Sequence, residues 1–392
     1  MPKCGPSTIA LVSTRTRPGA SVAVPRRSWC WAIPGARTLP SCCSASLSWP
    51  MSSASSGPGS SSGDRPAPGL RDWHLARPQH WPAWVAVGLF SLLALLPFRV
   101  LWVLGHGLGR VGWLLLPGRR AVARANLALC QPQLDRRARA RLVRAHFGWL
   151  GVAALCQGLS WHAGRRRLAR IVRIVQREHI DACLAANRPV IVLVPHFVGL
   201  ELGGTAFTAL VHPGMYMYQR IRNPVLEAQV RHGRTRFGSV PVERSDDLRG
   251  LLRRIRGGTP FFYLPDQDPG PRRGIFVPFC GVAAATVPTL GRIARLSRAA
   301  VVPAFARFLP GGQGLELRFG PPLADFPSGD DAADAARMNQ VIESQLASMP
   351  AQYFWVHRRF KTRPAGASSV YPASRRRPRR RRPRAPADGV GT

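Results

Sequence analysis

Between Val190 and Phe319, short unbroken apolar runs alternate with stretches of helical periodicity. The clearest run is Val190 to Val194, four β-branched residues and one leucine, apolar on both faces as in a strand buried inside a mostly parallel sheet. Pro195 denies the ladder a donor and ends the strand, so His196 stands at its carboxyl end, the edge where open α/β sheets bind ligands. Further strands are predicted at Met215–Tyr218, Ser239–Val242, Thr259–Leu264, Phe276–Phe279, Ala300–Phe305 and Gly314–Phe319. Helices are predicted from Val225, over Asp246–Arg256 and Pro288–Ser297, and over residues 331–348, where Pro350 stops the last. Residues 118–187 read as helical, with Asp135 capping an Arg-rich helix over Arg136–Leu155. The run Arg165–Arg167 with Arg170, beside the apolar turns Ile171–Val175, reads as a solvated helix face or a membrane-facing one. This alternation predicts an α/β fold with a mainly parallel central sheet flanked by helices.

The ends of the chain follow other rules. Residues 1–70 are Ser-, Pro- and Gly-rich without periodicity, and read as disordered or as an upstream stretch that is not translated, Met51 offering a later start. Residues 74–117 form an apolar segment, Trp81–Leu96 and Val100–Leu116 around Pro97, with Trp81, Trp84, Trp102 and Trp113 placed as for a headgroup belt. A single membrane anchor, a tilted helix, a hairpin lying in the interface and a buried helix pair all fit this pattern. Arg110, Arg119, Arg120 and Arg124 favour a cytoplasmic position for the rest of the chain. Residues 118–364 form the main domain, and 365–392 read as a disordered arginine-rich tail.

Charge narrows the partners. The chain carries 56 Lys+Arg against 19 Asp+Glu, a net charge of +37 that calls for an anionic partner: nucleic acid, an anionic membrane or a phosphorylated lipid. Abundant Arg, Ala, Gly and Pro also match a G+C-rich genome, which lowers the weight of any isolated arginine. No nucleic-acid recognition fold or aromatic-basic interleaving appears in the core, so no nucleic acid is expected. The eight cysteines lack metal spacing and read as reduced residues of a cytosol-facing protein; no metal and no cofactor are expected.

The candidate chemistry lies in His196 and Glu201. Five residues apart on one helix, two side chains point about 140° away from each other, so they meet only if His196 remains in the strand-to-helix turn. Gly199, Gly203 and Gly204 allow close backbone approach there. Glu201 would then hold one imidazole nitrogen while the other takes a proton from a substrate hydroxyl. A capping histidine beside a solvated glutamate is the bland alternative.

Four stretches together carry a resemblance: Pro195-His196-Phe197-Val198-Gly199-Leu200-Glu201-Leu202-Gly203-Gly204, then Arg222-Asn223-Pro224, then Pro265-Asp266-Gln267-Asp268 with Phe276–Phe279, and finally Gln352 to Pro364 with its Tyr-Phe-Trp-Val-His-Arg-Arg-Phe-Lys-Thr-Arg-Pro run. Over about residues 74–370 the chain resembles the lipid A secondary (lauroyl/myristoyl) acyltransferases, within the lysophospholipid-acyltransferase-like superfamily. The resemblance implies His196 and Glu201 as the catalytic pair, and Arg234, Arg220, Arg222, Asn223, Asp266, Gln267 and Asp268 as substrate-binding residues. It also implies acyl carrier protein as donor, a phosphorylated glycolipid as acceptor, and a place on the cytoplasmic side of the bacterial inner membrane. Backbone N–H groups at the start of the helix after His196 are the expected oxyanion donors. An acyltransferase acting on a glycerophospholipid or a mannoside glycolipid, and a non-catalytic basic membrane- or nucleic-acid-binding protein, are the competing readings.

Overall fold

The computed structural model describes residues 72–243 and 247–372. The 1–70 extension, Asp246 and most of the arginine tail therefore lie outside the described residues. Six helices come first: α1 (Trp81–Leu93), α2 (Phe98–Leu115), α3 (Pro117–Cys130), α4 (Arg136–Leu155), α5 (Gln157–His162) and α6 (Arg165–Ile171). Asp135 caps α4 by accepting from the Ala138 N–H at 2.6 Å, as its place before the helix predicts. The Arg165 and Arg167 side chains donate to the carbonyls of Ala209 and Leu96, while Arg165, Arg166 and Arg170 remain exposed, as a solvated helix face would have them.

The α/β part comes next as β1 (Val172–Val175), α7 (Glu178–Ala185), β2 (Val190–Leu193), α8 (Leu200–Leu210), β3 (Met215–Tyr218), α9 (Pro224–Thr235), β4 (Val240–Glu243), α10 (Leu248–Arg256) and β5 (Phe261–Tyr263). It ends with β6 (Ile275–Phe279), β7 (Val282–Thr286), α11 (Thr289–Ser297), β8 (Ala300–Phe308), β9 (Leu315–Phe319) and α12 (Asp331–Leu346). Seven strands form one sheet in the order β1-β9-β8-β2-β5-β3-β4, parallel except where β9 runs against β8. The fold is thus the expected mixed α/β one, with a mostly parallel sheet flanked by helices. β2 lies at its centre, and every residue of β2 is buried, as an unbroken apolar strand requires.

Two strand assignments change. Val172–Val175, read as turns beside a basic run, is an edge strand, because parallel pairing with β9 satisfies its backbone although Arg173 points outward. Phe276–Phe279 does not join the main sheet; it pairs antiparallel with β7, a strand whose small alanine-rich sequence carries little periodic signal. The packed chain also runs past residue 365: Tyr371 is buried, and its hydroxyl donates to Asn126 Oδ1 and accepts from the Phe360 N–H.

Candidate active site

Two parallel strands carry the centre. β2 and β5 pair with Leu193 opposite Tyr263, and the Val194 N–H donates to the Tyr263 carbonyl at 2.9 Å. Both strands then leave the sheet through the same sequence pattern, an apolar residue, a proline and a titratable residue: Val194-Pro195-His196 and Leu264-Pro265-Asp266. In that register His196 and Asp266, seventy residues apart, emerge side by side at the carboxyl edge. Asp266 accepts twice from one residue, from the His196 backbone N–H at 2.9 Å and from Nδ1 at 2.7 Å.

Burial sharpens this pair. The Asp266 side chain is 1% exposed, whereas His196 is 20% exposed, so the carboxylate lies behind the imidazole and the far edge of the ring faces outward. Burial alone would depress the imidazole; the Asp266 charge and hydrogen bond outweigh it and raise the His196 pKa above its ordinary value. Asp266 is shifted the other way: burial raises it, but the histidine's charge and hydrogen bonds, with Arg359 nearby, hold the carboxyl below its ordinary range. Nδ1 thus keeps its proton toward Asp266, and Nε2 is left as the basic nitrogen, 3.0 Å from the Gln267 amide nitrogen.

Glu201 does not hold the imidazole. It lies in the first turn of α8 and reaches across to α9, where Arg234 grips both carboxylate oxygens through Nε and Nη2 at 2.7 Å each. The expected His196–Glu201 contact is lost for a physical reason: a buried carboxylate already occupies Nδ1, and a planar guanidinium fork captures the glutamate. Asp266, assigned by resemblance to substrate binding, is the imidazole's partner instead. Close packing does hold α8 in place, for a Cβ on Gly203 would sit 2.5 Å from that of Ala306; Gly204 faces open space.

The other expected site residues spread over the same edge. Asn223 is the N-cap of α9, accepting from the Val225 and Leu226 N–H groups at 3.0 and 3.1 Å. Arg220 pairs with Glu243 at 3.2 Å, and Arg222 is exposed. Asp268 is a structural clamp: its carboxylate accepts from the Gly270 N–H and from the N–H and hydroxyl of Thr362 at 2.7–2.8 Å. Three of the expected oxyanion donors are committed elsewhere. The Phe197 N–H donates to Pro195, Val198 to Gln352 and Leu200 to Phe197.

The carboxyl-terminal run is the element whose role the linear sequence hides. The Phe354 N–H donates to the His196 carbonyl at 3.0 Å, Phe197 and Tyr353 form an antiparallel bridge, and burial, with the nearby Asp266 charge, pushes the Tyr353 pKa well up. His357 Nε2 accepts from the Asp268 N–H at 3.2 Å, and burial lowers its pKa, which suits the neutral ring this acceptor role needs. Arg359 is fully buried against the Ala285 carbonyl and the Thr286 hydroxyl. The density of aromatic and cationic residues in Gln352 to Pro364 was the available signal; its target was not readable from spacing.

Comparison with known proteins supplies the remaining context. The family model of the bacterial lipid A biosynthesis acyltransferases matches residues 70–362. The chain is 35% identical to lipid A biosynthesis lauroyltransferase of Escherichia coli (strain K12) over 298 residues, 76% of this chain and 97% of the relative. It is 33% identical to the palmitoleoyltransferase of the same strain over 295 residues, 75% of this chain and 95% of that one. A lipid A biosynthesis acyltransferase of Haemophilus influenzae is 32% identical over 297 residues, 74% and 94%.

Proposed function

The chain belongs to the bacterial lipid A biosynthesis acyltransferase family, and from that membership we propose that it moves a fatty acyl chain from acyl carrier protein to the hydroxyl of a hydroxyacyl chain on a phosphorylated lipid A precursor. The observation that carries the reading is the imidazole of His196, fixed at the strand edge by buried Asp266 with Nε2 turned outward. His196 Nε2 takes the proton of the acceptor hydroxyl as its oxygen attacks the thioester carbonyl. The tetrahedral adduct collapses, the C–S bond breaks, and the imidazolium returns the proton to the departing thiolate. Asp266 keeps the ring in the right tautomer and stabilises the imidazolium, the part first expected of Glu201. No covalent enzyme intermediate is needed, because the thioester is already activated.

Gln267 suits both stages of this cycle. Its amide nitrogen donates to neutral Nε2 at rest, and a rotated amide can accept from the imidazolium. Arg234 uses Nε and Nη2 on Glu201 and keeps Nη1 for an anionic oxygen of the glycolipid, with Arg222 exposed beyond it. The exposed pair Arg272 and Arg273, just past the Asp266 loop, suits an acidic carrier protein. The free cysteines Cys130, Cys156, Cys183 and Cys280 agree with the cytoplasmic side of an inner membrane.

The test is transfer by the purified full chain in detergent, with acyl carrier protein donor and lipid A precursor, read by mass spectrometry of the glycolipid. One acyl chain should be added, and His196→Ala should lower the rate by about 10³-fold or more while the circular dichroism melt is retained. A folded His196→Ala protein within a few-fold of wild type would remove His196 as the base. Acylation of lysophospholipid in place of the precursor would move the chain to a different acceptor.

A further inference from the structure

The segment that carries Asp266 and Gln267 has no regular structure of its own. It leaves β5 as Pro265-Asp266-Gln267-Asp268-Pro269-Gly270, three polar residues between two prolines. Asp266 is fixed by its own bonds to His196, but Gln267 is exposed, and among the described residues its side chain makes one hydrogen bond, to His196 Nε2. An exposed amide is not aimed by packing. Its direction is set by the backbone on either side, and the backbone after it is held at Asp268.

Asp268 is held twice by the carboxyl-terminal run. Thr362 donates to its carboxylate through the N–H and the hydroxyl, and His357 Nε2 accepts from the Asp268 N–H at 3.2 Å. The acceptor role places the ring proton of His357 on Nδ1, and burial, which lowers the His357 pKa, favours that neutral form. The base of the ring is itself anchored. Asn126, buried on α3, donates to the carbonyls of Trp355 and His357 at 2.6 and 2.7 Å, and its amide oxygen accepts from the Tyr371 hydroxyl. Arg119, about two turns earlier on the same helix, donates to the Val356 carbonyl between them at 3.2 Å. Three consecutive carbonyls of the run therefore hang from α3, and the His357 ring projects toward the loop from that fixed base.

We propose that His357 is a positioning residue for acyl transfer: by accepting from the Asp268 N–H it keeps the Gln267 amide within hydrogen-bond reach of His196 Nε2 through the cycle, donating at rest and accepting from the imidazolium. The line of contacts runs from α3 through the carbonyls of the run, the His357 ring, the Asp268 N–H and Gln267 to the basic nitrogen. Its effect on rate rests on the acyl-transfer reading; its effect on Nε2 does not. The geometry also says which side chains can replace the ring. A glutamine oxygen reaches the place of Nε2, an asparagine oxygen stops at the place of Nδ1, and leucine fills the space but leaves the Asp268 N–H unpaired.

The probe is diethyl pyrocarbonate, which modifies neutral imidazole nitrogens, applied to the full chain in detergent with the rate at each histidine read by peptide mass spectrometry. In wild type the Gln267 amide engages His196 Nε2 and should slow its reaction. His357→Asn and His357→Leu should each raise the rate at His196 about fivefold, the worth of one hydrogen bond, while buried His146 and exposed His232 keep theirs. His357→Gln should react as wild type. In a Gln267→Ala background, where His196 already reacts fast, His357→Asn should add nothing. Acyl transfer should follow the same order, with kcat about tenfold lower for the Asn and Leu variants, KM within a few-fold, and both restored by Gln. Equal behaviour of the Gln and Asn variants, a rise spread over all the histidines, or additive effects of His357→Asn and Gln267→Ala would overturn the proposal. The reactivity measurement uses no glycolipid, so a wild-type chain that fails to acylate the lipid A precursor would strike the acyl-transfer reading and leave the positioning of Gln267 to be decided by the probe.

Discussion

Two acid–base pairs stand on the same edge of the sheet and differ in every respect that bears on chemistry. His196–Asp266 joins two strand ends through two hydrogen bonds to one carboxylate, with the acid 1% exposed. Glu201–Arg234 joins two helices through a bidentate ion pair whose side chains are 24% and 34% exposed. In the first, the His196 charge and hydrogen bonds, with the Arg359 charge behind them, hold Asp266 below its ordinary range despite its burial. The second needs no such backing, because each charge neutralises the other; the Glu201 charge and hydrogen bonds outweigh burial and raise the Arg234 pKa. A carboxylate sealed behind an imidazole tunes a base. A partly exposed ion pair braces one helix against another.

The largest expected effect that would break this contrast is at Asp266. Its carboxylate accepts from both the backbone N–H and Nδ1–H, but an amide has a single acceptor oxygen and would set its NH₂ against one of those donors. Asp266→Asn should therefore favour the wrong tautomer and lower kcat by about 10²–10⁴-fold. The pH profile adds the sign. The base works deprotonated, so the wild-type rate should rise with pH along a limb centred above the ordinary histidine value of 6.5. In Asp266→Asn burial acts unopposed, and the limb should move below that value. A limb that stays in place would show that Asp266 does not tune the base.

A smaller effect is expected at the ion pair. Arg234→Lys keeps the charge but loses the fork, so it should raise KM for the phosphorylated acceptor by about tenfold, with kcat within a few-fold and the pH limb unmoved. Glu201→Gln should follow the same pattern. A fall in kcat for Glu201→Gln as steep as that of Asp266→Asn, with a shifted limb, would return Glu201 to the role of imidazole partner and erase the contrast.

The smallest effect probes the clamp. Thr362→Val removes one of the donors to Asp268 while keeping the backbone N–H. It should cost about 1 kcal/mol in a denaturant melt and slow turnover a few-fold, without changing the pH limb. A shifted limb would mean that the clamp sets the chemistry of Asp266, beyond its position.

Much of the architecture was legible because it rests on local pattern. An apolar run closed by Pro195 is enough to predict β2 and to put His196 at its end, and Asp135 before an Arg-rich periodic stretch is enough to start α4. β1 and β7 escaped because an edge strand beside arginines and an alanine-rich hairpin strand owe their conformation to partners. The same holds for the carboxyl-terminal run, conspicuous in composition but silent about what it would touch.

By itself, the sequence determined the class of fold, the strand-end histidine and the family motifs, since each depends on residues close together in the chain. Only the tertiary structure decided which acid serves the imidazole. Glu201 is five residues from His196 and Asp266 is seventy, yet parallel pairing of β2 with β5 sets the distant acid beside the ring and Arg234 draws the near one away. Separation along a chain measures the cost of closing a loop, which grows slowly with length. The direction of a side chain is set by the element that carries it, and two parallel strands ending at the same level aim theirs at a common point.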